Sequence, residues 1–418
     1  MKSLAALFLL AVPFTFAQAQ STPAPALSGE WTKQQLTPHF WAEGACAADV
    51  NKDGKIDILS GPFWYEGPGF EKRHTIYPLK QSFQGKAADG SAVEIPGFEG
   101  ALGEKNTYSE NFISFAYDFN GDGWVDYLVI GFPGKETFWY ENPKGEDYPW
   151  VKHVALAVTD NESPMFVDIT GDKKPELLCM SGGFIGYAEP NAKAPDEPWT
   201  WHPISPKGGY GKFTHGIGYG DINRDGRVDI LESHGWWEQP ASLAGDPVWN
   251  FHAAQFGEGG SQMYAYDVNG DGKADVITAL QAHGYGLAWF EQTNDGGVTG
   301  WTKHLITGTP KEPGETGIIF SQPHAVDLVD MNGDGLKDIV TGKRFWAHGN
   351  HGDPEPDAVK VLWWFELKRE GGKATFIPHL IDNDSGVGTQ VMATDINGDG
   401  KPDVVVGNKK GVFVHLRK

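Results

Sequence analysis

Two cysteines are all that the 418-residue chain contains, too few for a disulfide framework or a four-cysteine zinc site. Basic residues are scarce beside acidic ones, 34 against 55 for a net charge of −21. No run of Lys or Arg offsets that balance, which excludes nucleic acid and anionic membrane surfaces as natural partners. Beyond the N-terminus no apolar stretch is long enough to span a bilayer. A nucleophile elbow, an HExxH pair and a Walker loop are missing too, so the familiar motifs of esterases, zinc peptidases and nucleotide hydrolases do not apply. Disorder is excluded by a content of 40% hydrophobic and 13% aromatic residues, enough for a large core.

Glycine (55), proline (27) and tryptophan (16) are what the chain has in quantity. Residues 1–20 read MKSLAALFLLAVPFTFAQAQ: one Lys, an apolar stretch, then Ala17-Gln18-Ala19. That order predicts a signal peptide over residues 1–19, a short lead over 20–29, and a protein that is secreted or periplasmic.

Internal repetition predicts the fold. The pattern D-x-[N/T]-x-D-x-x-x-[D/E] begins at Asp49, Asp118, Asp168, Asp221, Asp267, Asp330 and Asp395, a recurrence of about 58 residues that occupies residues 30–418 as one domain. Each copy lies between two short apolar strands, as in FISFAY before Asp118 and VDYLVI after it. An aromatic strand follows (FWYEGP, FWYENP, VLWWFEL), then one with a recurrent histidine (RHTI, WVKHVA, WTKHLI). Four short antiparallel strands, seven times, with Gly and Pro at the breaks, predict an all-β, seven-bladed β-propeller. The last copy supplies three strands, and Glu30-Trp31-Thr32-Lys33 is expected to complete its blade and close the ring. On these residues the chain resembles the FG-GAP/VCBS-repeat family of calcium-binding propellers, whose members serve as adhesins, lectins and enzyme domains.

The repeat is suited to calcium. Carboxylates at positions 1, 5 and 9 with an amide oxygen at 3 surround a tight turn opened by Gly at 6, a set of hard oxygens. The expected ligands are Asp49, Asn51, Asp53 and Asp57; Asp118, Asn120, Asp122 and Asp126; Asp221, Asn223, Asp225 and Asp229; Asp267, Asn269, Asp271 and Asp275; Asp330, Asn332, Asp334 and Asp338; Asp395, Asn397, Asp399 and Asp403. That gives about six structural Ca²⁺ ions. The third copy, with Thr170, Lys173 and Glu176 in place of Asn, Gly and Asp, is expected to bind weakly. The flanking strands exclude an EF-hand, which needs helices.

Repeated residues serve architecture, so function is sought in those that do not repeat. His74, His153, His202, His252, His304 and His379 recur at one phase and read as structural. Chain direction puts the calcium loops on one face and the long insertions Pro78–Glu110, Ile306–Phe320 and Arg344–Lys360 on the other, the top. Six residues before successive motifs stand Glu43, Phe112, Glu162, His215, Ser261, His324 and Thr389, where an innermost strand begins at the mouth of the channel. Gln262 and Gln390 follow at the next position, and the top turns add His234, His283, Lys343, Arg344, Lys409 and His348. Catalysis is expected from His215, His324 and Glu162 as acid/base groups, with Lys343 and Arg344 stabilising an oxyanion. Ligand binding is expected from Glu43, Gln262, His283, His234, Gln390, Lys409 and His348. An additional divalent metal on Glu162, His215 and His324 would also suit the residue types.

HGIGYGDINRDGRVDILESHGWWEQP, QAHGYGLAWFEQ and TGKRFWAHG resemble the propeller domain of aldos-2-ulose dehydratase-type enzymes. The resemblance implies a carbon–oxygen lyase acting on a keto-sugar or oxidised glycoside, although that family's cupin domains have no counterpart here. The partner expected is a small carbohydrate. The alternative is a propeller that binds carbohydrate without catalysis, as a lectin does, or an adhesion module; the convergence of unlike polar residues on one mouth favours a single site. The sequence leaves the oligomeric state open.

Overall fold

The computed structural model describes residues 27, 30–79, 82–86, 89–96, 108–146, 149–295, 298–349 and 351–418. The expected signal peptide, most of the 20–29 lead and much of the Pro78–Glu110 insertion lie outside them. Among the described residues there is no helix. The chain forms a β-propeller with five separate four-stranded blades, one eight-stranded sheet and a two-stranded hairpin. In the eight-stranded sheet two antiparallel four-stranded halves meet through their innermost strands, Ile217–Gly220 and Gln262–Tyr266, which pair in parallel.

One blade shows how sequence makes the unit. Cys46–Ala48 lies innermost, followed outward by Asp57–Ser60, Phe63–Tyr65 and Arg73–Thr75, all antiparallel. The second and third strands are buried on both faces, so they read as continuous apolar runs rather than alternating ones. Large apolar clusters fill the spaces between sheets, as where Phe119, Trp139 and Trp199 meet. Each fully buried side chain of this kind contributes roughly 1.5–3 kcal/mol. The ring closes as expected: Trp31–Thr37 pairs antiparallel with Gly411–Arg417, Trp31 opposite Arg417.

The recurrent histidines close the outer edge. His74 stacks on Trp64 with ring centroids 3.9 Å apart and meets Glu66 at 3.0 Å. The same aromatic–imidazole–glutamate sandwich recurs at Trp139–His153–Glu141, Trp236–His252–Glu238, Trp289–His304–Glu291 and Trp364–His379–Glu366. Tyr187 takes the place of Trp beside His202, which reaches Asp246 at 2.6 Å. Both cysteines are free and buried. Burial pushes the Cys46 thiol up to about 12 and Cys179 up as well, so neither is a ready nucleophile.

Candidate functional site

On one face the repeat loops turn between first and second strands. Asp221 accepts from the Asp225 and Gly226 amides (3.0 and 2.9 Å), Asn223 from Asp225 (3.0 Å), and Asp225 from Arg227 (2.9 Å). Asp229, fully buried, takes the Ile222 and Gln239 amides and so ties the loop to the end of the third strand. Gly226 sits at φ 85, a left-handed conformation that favours Gly. The donor set fits a hard cation: burial, joined by the charge of Asp225, pushes Asp229 up to about 6, and a bound cation would relieve that cost. The third loop keeps the turn with Lys173 at φ 72. Among the described residues it is the loop whose three carboxylates, Asp168, Asp172 and Glu176, offer oxygens within 4.8 Å of one another. Glutamate's extra methylene lets Glu176 take the Ile169 amide and the Thr170 hydroxyl while staying near the other two.

The opposite face gathers the residues that do not repeat. Glu43, Glu162, His215 and His324 each precede an innermost strand, Arg344 follows Asp338–Gly342, and His348 and Asp353 belong to the long turn beyond it. Glycines allow the close approach. A Cβ on Gly259 (φ 95) would lie 2.7 Å from the His215 carbonyl, and one on Gly388 would lie 2.0 Å from that of Glu43.

Three atoms define the centre. His215 Nε2 and His324 Nε2 are 3.2 Å apart, and Glu162 Oε2 lies 3.5 and 3.2 Å from them. His283 joins the group, with all four ligand atoms within 4.8 Å. Arg344 pairs with Glu43 through Nε (2.8 Å) and with Glu162 through Nη1 (3.4 Å), and Lys409 approaches Glu43 Oε1 at 3.7 Å. Beside this centre Asp353 accepts from the His348 amide (2.9 Å), meets His348 Nδ1 at 2.9 Å and lies 3.5 Å from His283 Nδ1. The buried charges balance by pairing, as burial demands.

Their ionisation follows from position. Burial opposes charge on Glu162, but hydrogen bonds from His215 and His324, with Arg344 beside it, hold its carboxyl far below the usual range. Burial, reinforced by Arg344, pushes His324 down to about 3, and burial with His324 and Arg344 pushes His283 down to about 2. Near neutral pH these imidazoles are therefore uncharged and able to donate lone pairs. His348 moves the other way, raised by its bond to Asp353.

Not every expected residue joins the group. Gln262 accepts the Val326 amide (3.0 Å) and donates to the Thr389 carbonyl (3.2 Å), while Gln390 clamps both backbone groups of Ser114 (3.0 and 2.8 Å). These two amides floor the mouth rather than face a ligand, because adjacent positions on a strand point to opposite sides. Lys343 is buried on Ser321 Oγ at 2.6 Å, and burial pushes it down to about 8. It braces the long turn instead of joining Arg344. His234 is held by its own neighbours Glu232 and Ser233. Asp353, placed by its sequence in the long top turn beside His348, joins the group through His348 and His283. Tyr108, at the end of an insertion and with its ring 4.9 Å from Lys409 Nζ, is a neighbour that spacing does not single out.

An FG-GAP-like repeat matches residues 118–179 and 267–341, and an FG-GAP repeat matches 387–412. Those three segments are similar to FG-GAP repeats. No curated protein matches the sequence. Among solved structures, an Agrocybe aegerita lectin that recognises non-reducing terminal N-acetylglucosamine is similar at 15% identity over 89% of this chain and 94% of its own, with a TM-score of 0.42. An exotype rhamnogalacturonan lyase is similar at 11% identity over 95% and 75%, TM-score 0.43. The WD40 domain of fission yeast SCAP is similar at 11% over 93% and 98%, TM-score 0.39.

Proposed function

We propose that this protein is an exported, calcium-stabilised, seven-bladed propeller that acts as a carbon–oxygen lyase, eliminating water from a keto-sugar at a metal-dependent site in its top mouth. The two four-stranded halves of the eight-stranded sheet, counted beside the five separate blades, support seven. The keto-sugar rests on the resemblance carried by HGIGYGD, QAHGYG and TGKRFWAHG.

The observation that carries the reading is the triangle of Glu162 Oε2, His215 Nε2 and His324 Nε2, with edges of 3.2, 3.2 and 3.5 Å. Both Nε2–H groups can donate to Glu162 Oε2, but then the 3.2 Å edge between the two nitrogens carries no hydrogen bond, an edge that a shared cation would fill. Ligands at about 2.1 Å from a tetrahedral centre stand roughly 3.4 Å apart, so the spacing suits a divalent ion held by these three, with His283 within reach. Such an ion would supply Lewis-acid stabilisation of developing negative charge on oxygen.

The remaining chemistry belongs to side chains. His348, its Nδ1 held by Asp353, has Nε2 available to take the proton from the carbon beside the ketone. The electrons of that C–H bond form a C=C bond as the C–O bond to the neighbouring hydroxyl breaks. The hydroxyl leaves as water, carrying the proton His348 returns. Arg344, fixed between Glu43 and Glu162, supplies positive charge to the oxygens involved. His215 and His324 serve as ligands in this scheme, so the acid/base role passes from them to His348.

The product is a conjugated enone, which absorbs in the near ultraviolet. His324→Ala and His348→Ala should each lower its rate of formation by about 10²–10⁴-fold, as for a lost metal ligand or general base. Turnover unchanged by His324→Ala would overturn the reading. Sugar binding without any turnover would replace it with the lectin-like alternative.

A further inference from the structure

Phe213 is an aromatic side chain with two unfavourable features. It is 48% exposed and its backbone sits at φ 65, a left-handed conformation that is a genuine outlier for a bulky residue. Its surroundings are those of the site. Its amide donates to the Asp160 carbonyl (2.9 Å), and the next residue, Thr214, accepts from the Glu162 amide (3.0 Å). His215 follows immediately.

The ring does not stand alone. Phe213 meets Phe132 with centroids 5.5 Å apart, Phe132 meets Tyr108 at 5.4 Å and Phe112 at 5.8 Å, and these in turn face cations. Lys409 Nζ lies 4.9 Å from the Tyr108 ring, and the Arg344 guanidinium 5.9 Å from that of Phe112. A row of rings thus runs from the exposed rim to the residues paired with Glu43 and Glu162. Aromatic faces with free area bind the C–H faces of sugar rings, and an aromatic kept exposed in a strained conformation suits a ligand platform better than a core.

We propose that this wall is a second-ring subsite, and that the substrate is a keto-glycoside whose non-reacting ring stacks on Phe213 rather than a free keto-monosaccharide. The proposal rests on the lyase reading for the reacting ring only. The chemistry that recognises the second ring is apolar stacking, without a charged requirement.

The test compares cellobiose oxidised to a ketone in its non-reducing ring with the same ketone of glucose, using wild type, Phe213→Ser and Phe213→Tyr. Phe213→Ser should raise KM for the disaccharide about five- to tenfold, leaving its kcat and both constants for the monosaccharide unchanged. Phe213→Tyr should restore KM. An equal effect on both substrates, or none, overturns the subsite. If neither ketone is turned over, the lyase reading falls and calorimetry with cellobiose and glucose judges the wall by itself. Preference of the wild type for cellobiose, lost in Phe213→Ser, supports it; equal affinities, or no binding of either sugar, overturn it.

Discussion

His153 and His324 are both buried imidazoles beside a glutamate, yet their surroundings differ in kind. His153 has Glu141 at 3.1 Å on one nitrogen, Asp196 at 3.3 Å on the other and Trp139 against its face. His324 is fully enclosed, its Nδ1 lacks a hydrogen-bond partner, and its Nε2 shares one triangle with two other ligand atoms. The first is architecture and recurs; the second does not. A third case, His415, ties stability to pH. Burial pushes it down to about 4, below its ordinary unfolded value of about 6.5. Between those values the unfolded chain binds the extra proton, so His415 contributes stability that is complete above pH 6.5 and lost as pH falls toward 4. Denaturant titrations at several pH values should therefore show His415→Gln with a shallower acid slope in that window; an unchanged slope would mean His415 is protonated in the fold.

At the scale of the element, the turn of the repeat loop was legible in its spacing because that spacing is dictated by its own hydrogen bonds. Asp at 1 and 5, Asn at 3 and a left-handed residue at 6 satisfy the turn. A Cβ on Gly226 would meet nothing within 4 Å, so Gly226→Ala isolates the backbone term and should cost about 1 kcal/mol. Lys173→Gly should gain up to about 1 kcal/mol in the third loop by relieving φ 72. Thermal melts of the two variants moving the same way would contradict this account. The mouth was legible only in outline. Glu43, Glu162, His215, His324 and Arg344 were expected to converge and do. Gln262 and Gln390 differ because one step along a strand turns a side chain from mouth to floor. Asp353 and Phe213 lie in irregular turns, where no period fixes direction.

At the scale of the molecule the repeated and the non-repeated polar residues lie on opposite faces. Seven acidic loops sit on one face and the non-repeated polar cluster on the other, with N- and C-terminal strands paired to close the ring. Calcium bound only to the folded chain would stabilise by mass action, about 2.7 kcal/mol per site at a hundredfold excess over Kd. Excess EGTA should thus lower Tm markedly, and an unchanged Tm after verified calcium removal would show the loops to be self-sufficient turns. On the proposed reading the mouth would hold a different ion, through nitrogen as well as oxygen. The most direct measurement is elemental mass spectrometry on protein dialysed exhaustively against calcium-containing buffer. The account predicts about one transition-metal or zinc equivalent per chain, retained by His153→Ala and lost when His215 and His324 are both replaced by Ala. Wild-type protein that takes up no such metal when offered zinc, manganese or iron(II), or a double variant that keeps it, would contradict the account.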